Sequence, residues 1–230
     1  MKTIGLIGGM SWESSTEYYK IINSTINKRL GGLHSAKILM YSFDFAEIEE
    51  LQHKNKWDEA INLMVDAAKR LEKANADFIL ICTNTMHKMA EDITKNINIP
   101  LLHIADVTAE EAKSKNIRKI GLLGTKFTME QDFYKDRLKK HNIETLIPTD
   151  SQREVVHNII YKELCLGEIR DSSRESIKDI IYSLSDNGAQ GIVLGCTELP
   201  LLIKQDDSNI PLFDTTVIHA KAAVDFSLKD

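Results

Sequence analysis

Apolar residues recur along this chain in two rhythms. Short unbroken runs, such as Phe78-Ile79-Leu80-Ile81 and Ile192-Val193-Leu194, end on small or polar residues, which is how strands buried on both faces read. Longer stretches place apolar residues three and four apart. From Trp57 to Ala74 the set Ile61, Met64, Val65, Ala68 and Leu71 shares one side, and from Arg174 to Leu184 the set Ile177, Ile180 and Ile181 does the same. That spacing predicts amphipathic helices. Strands alternating with helices predict an α/β fold with parallel sheets, because parallel neighbours need a crossover.

The pattern also repeats. Ala76-Asp77-Phe78-Ile79-Leu80-Ile81-Cys82-Thr83-Asn84-Thr85 reappears in altered form as Ala189-Gln190-Gly191-Ile192-Val193-Leu194-Gly195-Cys196-Thr197-Glu198. Each copy runs on to an Asn-Ile-Pro, at Asn98-Ile99-Pro100 and Asn209-Ile210-Pro211. The glycine-bounded run from Lys2 to Met10 likewise has a counterpart from Arg118 to Thr125. Two strands recurring in the same order predict a duplicated architecture. The expected division is a first α/β lobe of residues 1–103, a second of residues 104–212, and a helical tail, residues 213–230, that packs back on the first. If the copies face one another, two equivalent strand ends meet.

Composition narrows the setting. The 230 residues are 43% hydrophobic and 27% charged, as in an ordinary globular protein. The net charge is −5 with lysines scattered along helical stretches, so no basic face points to nucleic acid. No apolar run approaches the roughly 20 residues that span a bilayer, and the opening Met1-Lys2-Thr3-Ile4-Gly5 lacks the layout of a signal peptide. A cytoplasmic protein without a membrane partner is expected. The three cysteines, Cys82, Cys165 and Cys196, form no Cys-x-x-Cys pair, which argues against a disulfide framework and against a thiolate metal site.

Ligands of parallel α/β sheets bind beyond the carboxyl ends of the strands. Gly8-Gly9-Met10-Ser11, Thr83-Asn84-Thr85, Thr125 and Cys196-Thr197-Glu198 stand there. Their hydroxyls and the amides that follow serve either as helix caps or as a cradle for a carboxylate. Cys196 is either a small buried residue or, at a strand end beside a helix start, a thiol of lowered pKa; the second reading is preferred. Strand alternation turns Cys82 away from Thr83 and into the core, and Cys165 reads as packing at a helix end. His87 and His103 suit acid-base work or a purely structural place. The stretch from Glu47 to Gln52 reads as a solvated helix face from which Gln52 can reach a cleft. Gly5-x-x-Gly8-Gly9 matches neither dinucleotide nor phosphate-loop spacing.

With Gly8-Gly9-Met10-Ser11, Thr83-Asn84-Thr85-Met86-His87 and Gly195-Cys196-Thr197-Glu198, the chain resembles the aspartate/glutamate racemase family nearly end to end. The resemblance implies two Rossmann-like lobes related by a pseudo-twofold, an active site in the cleft between them and usually a homodimer. It implies a reaction without cofactor at the α-carbon of a small amino-acid substrate, with two facing cysteines as base and acid. One departure matters most. Where the family carries the first cysteine this chain has Thr83, and an aliphatic hydroxyl is far too weak an acid to rest as a base, whereas a thiol with an ordinary pKa of about 8.5 can be tuned to a thiolate. By resemblance Cys196 takes the α-proton of the L enantiomer and Thr83 donates on the opposite face. Substrate contacts fall to Met10, Gln52, Thr83, Asn84, Thr85, Thr125, Thr197 and Glu198, with Glu198 either holding the ammonium group or serving as a helix first-turn charge. Basic residues that many aspartate racemases use are replaced here by Ile48 and Cys165. Aspartate and glutamate lead as substrates, and broad specificity follows. Hydantoin racemases, maleate isomerases and arylmalonate decarboxylases share the two-lobe plan, and a non-catalytic amino-acid-binding module is the alternative from another class.

Overall fold

A computed structural model describes residues 1–229 of the chain. It opens with β1 (Ile4–Gly8), α1 (Trp12–Leu30), β2 (Ile38–Ser42), α2 (Phe45–His53), α3 (Trp57–Lys73), β3 (Phe78–Ile81), a 3-10 helix (Thr85–Met89) and α4 (Ala90–Thr94). The strands form a parallel sheet in the order β2-β1-β3, with Ile4 beside both Ile38 and Phe78. Alternation divides its side chains between two apolar layers. Ile7, Ile79 and Ile81 pack with Met64, Ala67, Ala68 and Leu71 of α3. Ile4, Leu6, Phe78, Leu80 and Cys82 face the other way, against Tyr18, Ile22 and Ile26 of α1. Burying a side chain of this size stabilises by about 1.5–3 kcal/mol, so the central strands need no amphipathic pattern.

The chain continues with α5 (Ile104–Ser114), β4 (Lys119–Gly124), α6 (Lys126–Glu130), α7 (Asp132–Lys140), β5 (Glu144–Leu146), α8 (Asp150–Lys162), α9 (Asp171–Asp186), β6 (Ile192–Gly195), α10 (Leu199–Leu202), β7 (Leu212–Asp214) and α11 (Thr215–Leu228). A second parallel sheet runs β5-β4-β6-β7. Its core joins Leu123, Ile192 and Leu194 to Ile177, Ile180, Ile181 and Leu184 of α9 and to Val156, Ile159 and Ile160 of α8. The start of α8 is closed by a capping box in which Thr149 and Gln152 each bond the other's backbone amide, removing two otherwise orphaned donors.

The chain divides into two compact units, Met1–Ile104 with the residues from His219 onward, and Ala105–Ile218. The first dividing point falls one residue past the one expected from the repeat. The tail expected to begin at residue 213 joins the first unit only at His219. Leu212, Phe213 and Asp214 are held in the second sheet by β6, in register with Ile192, Val193 and Leu194. From His219 on, Ala220, Ala223 and Val224 of α11 cover the Ile4 and Leu6 face of the first sheet.

The duplication reaches individual hydrogen bonds. The Ile79 amide donates to the Pro100 carbonyl at 2.8 Å, and the Ile192 amide donates to the Pro211 carbonyl at 2.8 Å. After the proline the copies part. The second continues into β7, whereas the first makes a single parallel bridge, Ile79 to Leu101. Among the described residues no helix is long and apolar enough to cross a membrane.

Candidate active site

In the first unit β1 and β3 are neighbours, so the residues that follow them leave the sheet side by side. The last ladder bond runs from the Cys82 amide to the Ile7 carbonyl at 2.9 Å. Beyond it come Met10 on one strand end and Thr83, Asn84 and Thr85 on the other. Gly9 makes the first exit possible, because its φ is +86° and a Cβ there would lie 2.2 Å from the Phe43 carbonyl oxygen. Only glycine tolerates both conditions. The Ser15 hydroxyl accepts from the Gly9 amide at 2.8 Å and donates to the Ser11 carbonyl at 3.0 Å, which ties the loop to the first turn of α1.

Met10, Asn84 and Thr85 are buried and Thr83 is half-buried. Most of the stretch from Glu47 to Gln52 is exposed or half-buried, as a solvated helix face should be, but Ile48 and Gln52 point inward. The Gln52 amide nitrogen donates to Met86 Sδ at 3.1 Å, and its Oε1 is buried with no hydrogen-bond partner among the described residues. A buried acceptor of that kind costs about 1–3 kcal/mol, which a ligand donor would recover. Cys82 lies in the core, where burial pushes its thiol far above the ordinary range.

His87 has both ring nitrogens on backbone groups. Nε2 accepts from the Ile104 amide at 3.2 Å, so the proton sits on Nδ1, which donates to the Thr83 carbonyl at 2.7 Å. That pattern fixes a neutral tautomer. His103 stacks edge-on against the same ring, with centroids 4.6 Å apart. His219, fully buried, accepts from the Tyr18 hydroxyl at 2.8 Å and donates to the Leu102 carbonyl at 2.8 Å. Of the two readings offered for His87 and His103, acid-base work or a structural place, the bonds of His87 fit the structural one, a clamp between two backbone groups. A spacing of four residues from Thr83 was the available signal, and Ser15 carried none.

In the second unit β4 and β6 are neighbours, with Gly124 beside Gly195, so Thr125 and Cys196 also emerge side by side. Thr125 is the N-cap of α6, its hydroxyl accepting from the Thr128 amide at 3.3 Å. Cys196 is buried, and its Sγ donates to Glu198 Oε2 at 2.9 Å. The Thr197 hydroxyl donates to the same oxygen at 2.8 Å. Glu198 stands at the N-cap of α10, a single turn of four residues with Pro200 in its first positions, but its side chain makes no capping bond to that turn.

The structure corrects the expectation of a lowered thiol pKa at Cys196. Burial and then the Glu198 carboxylate push this thiol well above its ordinary value. One turn of helix offers little dipole to oppose them. Cys196 is a protonated thiol at rest, bonded to a carboxylate that can receive its proton or a ligand's ammonium group. Cys165, in the short 3-10 turn Leu164–Leu166, packs against the same core.

Comparison with known proteins places these features in a family. The model of the Asp/Glu/Hydantoin racemase family matches residues 7–223. The chain is 25% identical over 226 residues to the broad specificity amino-acid racemase RacX of Bacillus subtilis, covering 96% of each. It superposes on the crystal structure of a proposed Asp/Glu racemase from Yersinia pestis with a TM-score of 0.94, 54% identity and all of both chains covered. An aspartate racemase homologue from Pyrococcus horikoshii gives a TM-score of 0.87 and 35% identity, again over both chains in full. With its two parallel sheets, and with glycine-, threonine- and cysteine-bearing loops at their carboxyl ends, the chain belongs to the Asp/Glu/Hydantoin racemase family.

Proposed function

We propose that this racemase inverts free L-amino acids at the α-carbon without a cofactor, with Cys196 taking the α-proton and Thr83 delivering a proton to the opposite face of the carbanion. The observation that carries the reading is the bond from the Cys196 thiol to Glu198. A thiol held protonated by burial and a neighbouring anion is idle until something offsets that anion. The ammonium group of an amino acid does so when it pairs with Glu198; the thiol then releases its proton to solvent, and the thiolate forms only with substrate in place. Thr83 has no comparable route to becoming a base, because its hydroxyl is far less acidic. The asymmetry lies in which face exchanges its proton with solvent; the equilibrium constant between enantiomers is one, so kcat/KM is the same from both sides.

Met10, Gln52, Asn84 and Thr85 on one set of strand ends, with Thr125, Thr197 and Glu198 on the other, form the binding set. The Gln52 Oε1 suits a donor on the ligand, and the polar residues after Thr83 and Cys196 suit the α-carboxylate. Aspartate and glutamate lead as substrates. A broader range is the second reading, favoured by Ile48, which is fully buried in the apolar core and brings no cation to a side-chain carboxylate. The enzyme acts as a homodimer in the cytoplasm, as the family resemblance implies; light scattering tests the first point and fractionation the second.

The deciding experiment follows L-aspartate, L-glutamate and a panel of neutral L-amino acids, with their D enantiomers, by chiral chromatography. The same reactions run in D2O and followed by mass should show deuterium entering recovered L substrate through Cys196 well ahead of D product, whereas D substrate should form L product with little deuterium in the D substrate recovered. Equal entry of deuterium into recovered L and recovered D substrate, each relative to the product formed, would sink the assignment of Thr83 as the side without a resting base.

A further inference from the structure

We propose that His87 is a positioning residue that aims the Thr83 hydroxyl, an inference that rests on Thr83 being the proton donor. In an α-helix the amide of residue 87 would bond the carbonyl of residue 83. The tighter 3-10 turn instead sends the His87 amide to the Asn84 carbonyl at 3.1 Å, so that amide does not serve the Thr83 carbonyl. The His87 ring takes that place, with Nδ1 at 2.7 Å.

The other end of the ring is anchored as well. Nε2 accepts from the Ile104 amide at 3.2 Å, and Ile104 opens α5, where the leading amides have no acceptor inside the helix. His87 is 2% exposed and lies edge-on to His103 and His219, at 4.6 Å and 5.6 Å between centroids. A ring held at both nitrogens and packed edge-on against two further imidazoles defines the Thr83 carbonyl position rather than following it. Thr83 is β-branched, so its few χ1 states carry that definition to the hydroxyl.

The repeat shows that this arrangement accompanies the hydroxyl and not the thiol. Four residues beyond Cys196 stands Pro200, whose ring nitrogen is a peptide nitrogen without a hydrogen to donate, and a polar partner of Cys196 is Glu198. The two halves of the reaction are supported differently. A thiol is prepared by adjusting its ionisation, whereas an aliphatic hydroxyl cannot be brought into the useful range. Orientation is the property of Thr83 that the protein can set, and a misplacement of about 1 Å costs about 100-fold in rate.

The test separates the two bonds of the ring. In His87→Asn the side-chain amide nitrogen stands close to Nδ1 and keeps the bond to Thr83. In His87→Gln the amide oxygen stands close to Nε2 and keeps the bond to Ile104. Both variants and the wild type are run in D2O on the fastest L-amino acid of the panel above, measuring D product and deuterium at the α-carbon of recovered L substrate. His87→Gln should lose about ten-fold or more in kcat at unchanged KM, and the ratio of deuterium in recovered L substrate to D product should rise. His87→Asn should regain most of the lost rate. The ratio does not depend on how much of a variant is folded. If both variants lose D product in step with their melting temperatures, with the wild-type ratio kept, the inference is overturned. Wild-type inversion in Thr83→Ala would instead overturn the donor assignment, and this inference with it.

Discussion

Glu198 Oε2 takes two hydrogen bonds from its own loop, one from the Cys196 thiol at 2.9 Å and one from the Thr197 hydroxyl at 2.8 Å. The carboxylate is one cause of the raised thiol pKa, after burial. Glu198→Gln removes its charge and leaves the shape. The thiolate of Cys196, followed by ultraviolet absorbance with the Cys196→Ser protein subtracted, should then appear at lower pH than in the wild type. The KM for L substrate should rise by about ten-fold or more as the ammonium loses its charged partner. A titration that stays in place would show that the carboxylate does not govern the thiol.

Exchanging the two reactive side chains tests the asymmetry directly. Cys196→Ser should lower L-to-D turnover by about 10²–10⁴-fold, the usual worth of a positioned base, with circular dichroism unchanged. Thr83→Cys should raise kcat/KM equally from both enantiomers and bring solvent deuterium into recovered D substrate, because a thiol at that position can ionise. Steady-state kinetics from both enantiomers, with deuterium counted in recovered substrate, checks both expectations, and a Thr83→Cys protein with the wild-type rate and no added deuterium in D substrate would contradict the second.

His219 makes stability depend on pH in a known direction. Burial lowers its pKa to about 4, although its bond to the Leu102 carbonyl acts the other way. The folded protein keeps this ring neutral while the unfolded chain takes up a proton near pH 6.5. The folded state therefore loses stability as pH falls from about 6.5 to about 4 and loses no more below, by an amount on the order of 3 kcal/mol for the full interval. Urea denaturation at a series of pH values should show this decline in the wild type and a shallower one in His219→Gln. Parallel curves for the two proteins would assign the decline to other groups.

Gly9 is the position least able to change. A Cβ there would meet the Phe43 carbonyl oxygen at 2.2 Å and the Phe43 amide nitrogen at 2.4 Å, on a backbone with φ of +86°. Gly9→Ala should lower the melting temperature and reduce turnover, since Met10 follows directly. Gly32→Ala is the control, because its φ is also positive but a Cβ there meets nothing. It carries the conformational cost alone, of about 1 kcal/mol.

The central strands and long helices were legible because burial on both faces, or on one, imposes a period that a single sequence displays. β1, β3, β4 and β6 read as apolar runs, and α3 and α9 as stripes. The three-residue strands were not legible. β5, with Glu144 and Thr145, lies at a sheet edge, and β7 is too short to show alternation, which is why residues 213 and 214 read as part of a tail. At the site, which residues stand at strand ends was legible from the runs that precede them. Their electrostatics were not, because a strand end beside a helix start says nothing of how long that helix is. The four residues of α10 and a carboxylate two places from Cys196 reverse the inference drawn from position. The role of His87 stayed open for a similar reason, since the choice between α and 3-10 pitch decides where one amide points.

The single bridge at Leu101, where the second copy has β7, leaves the border of the first sheet with fewer interlocked main-chain bonds. Backbone groups just beyond it are held by imidazoles: Leu102 offers its carbonyl to His219 and Ile104 its amide to His87. Side-chain partners release one at a time, whereas a ladder opens as a unit. Amide exchange should consequently be faster at Ile104, whose amide is held by a ring, than at Phe213 in the ladder, so that two segments descended from one pattern keep different clocks.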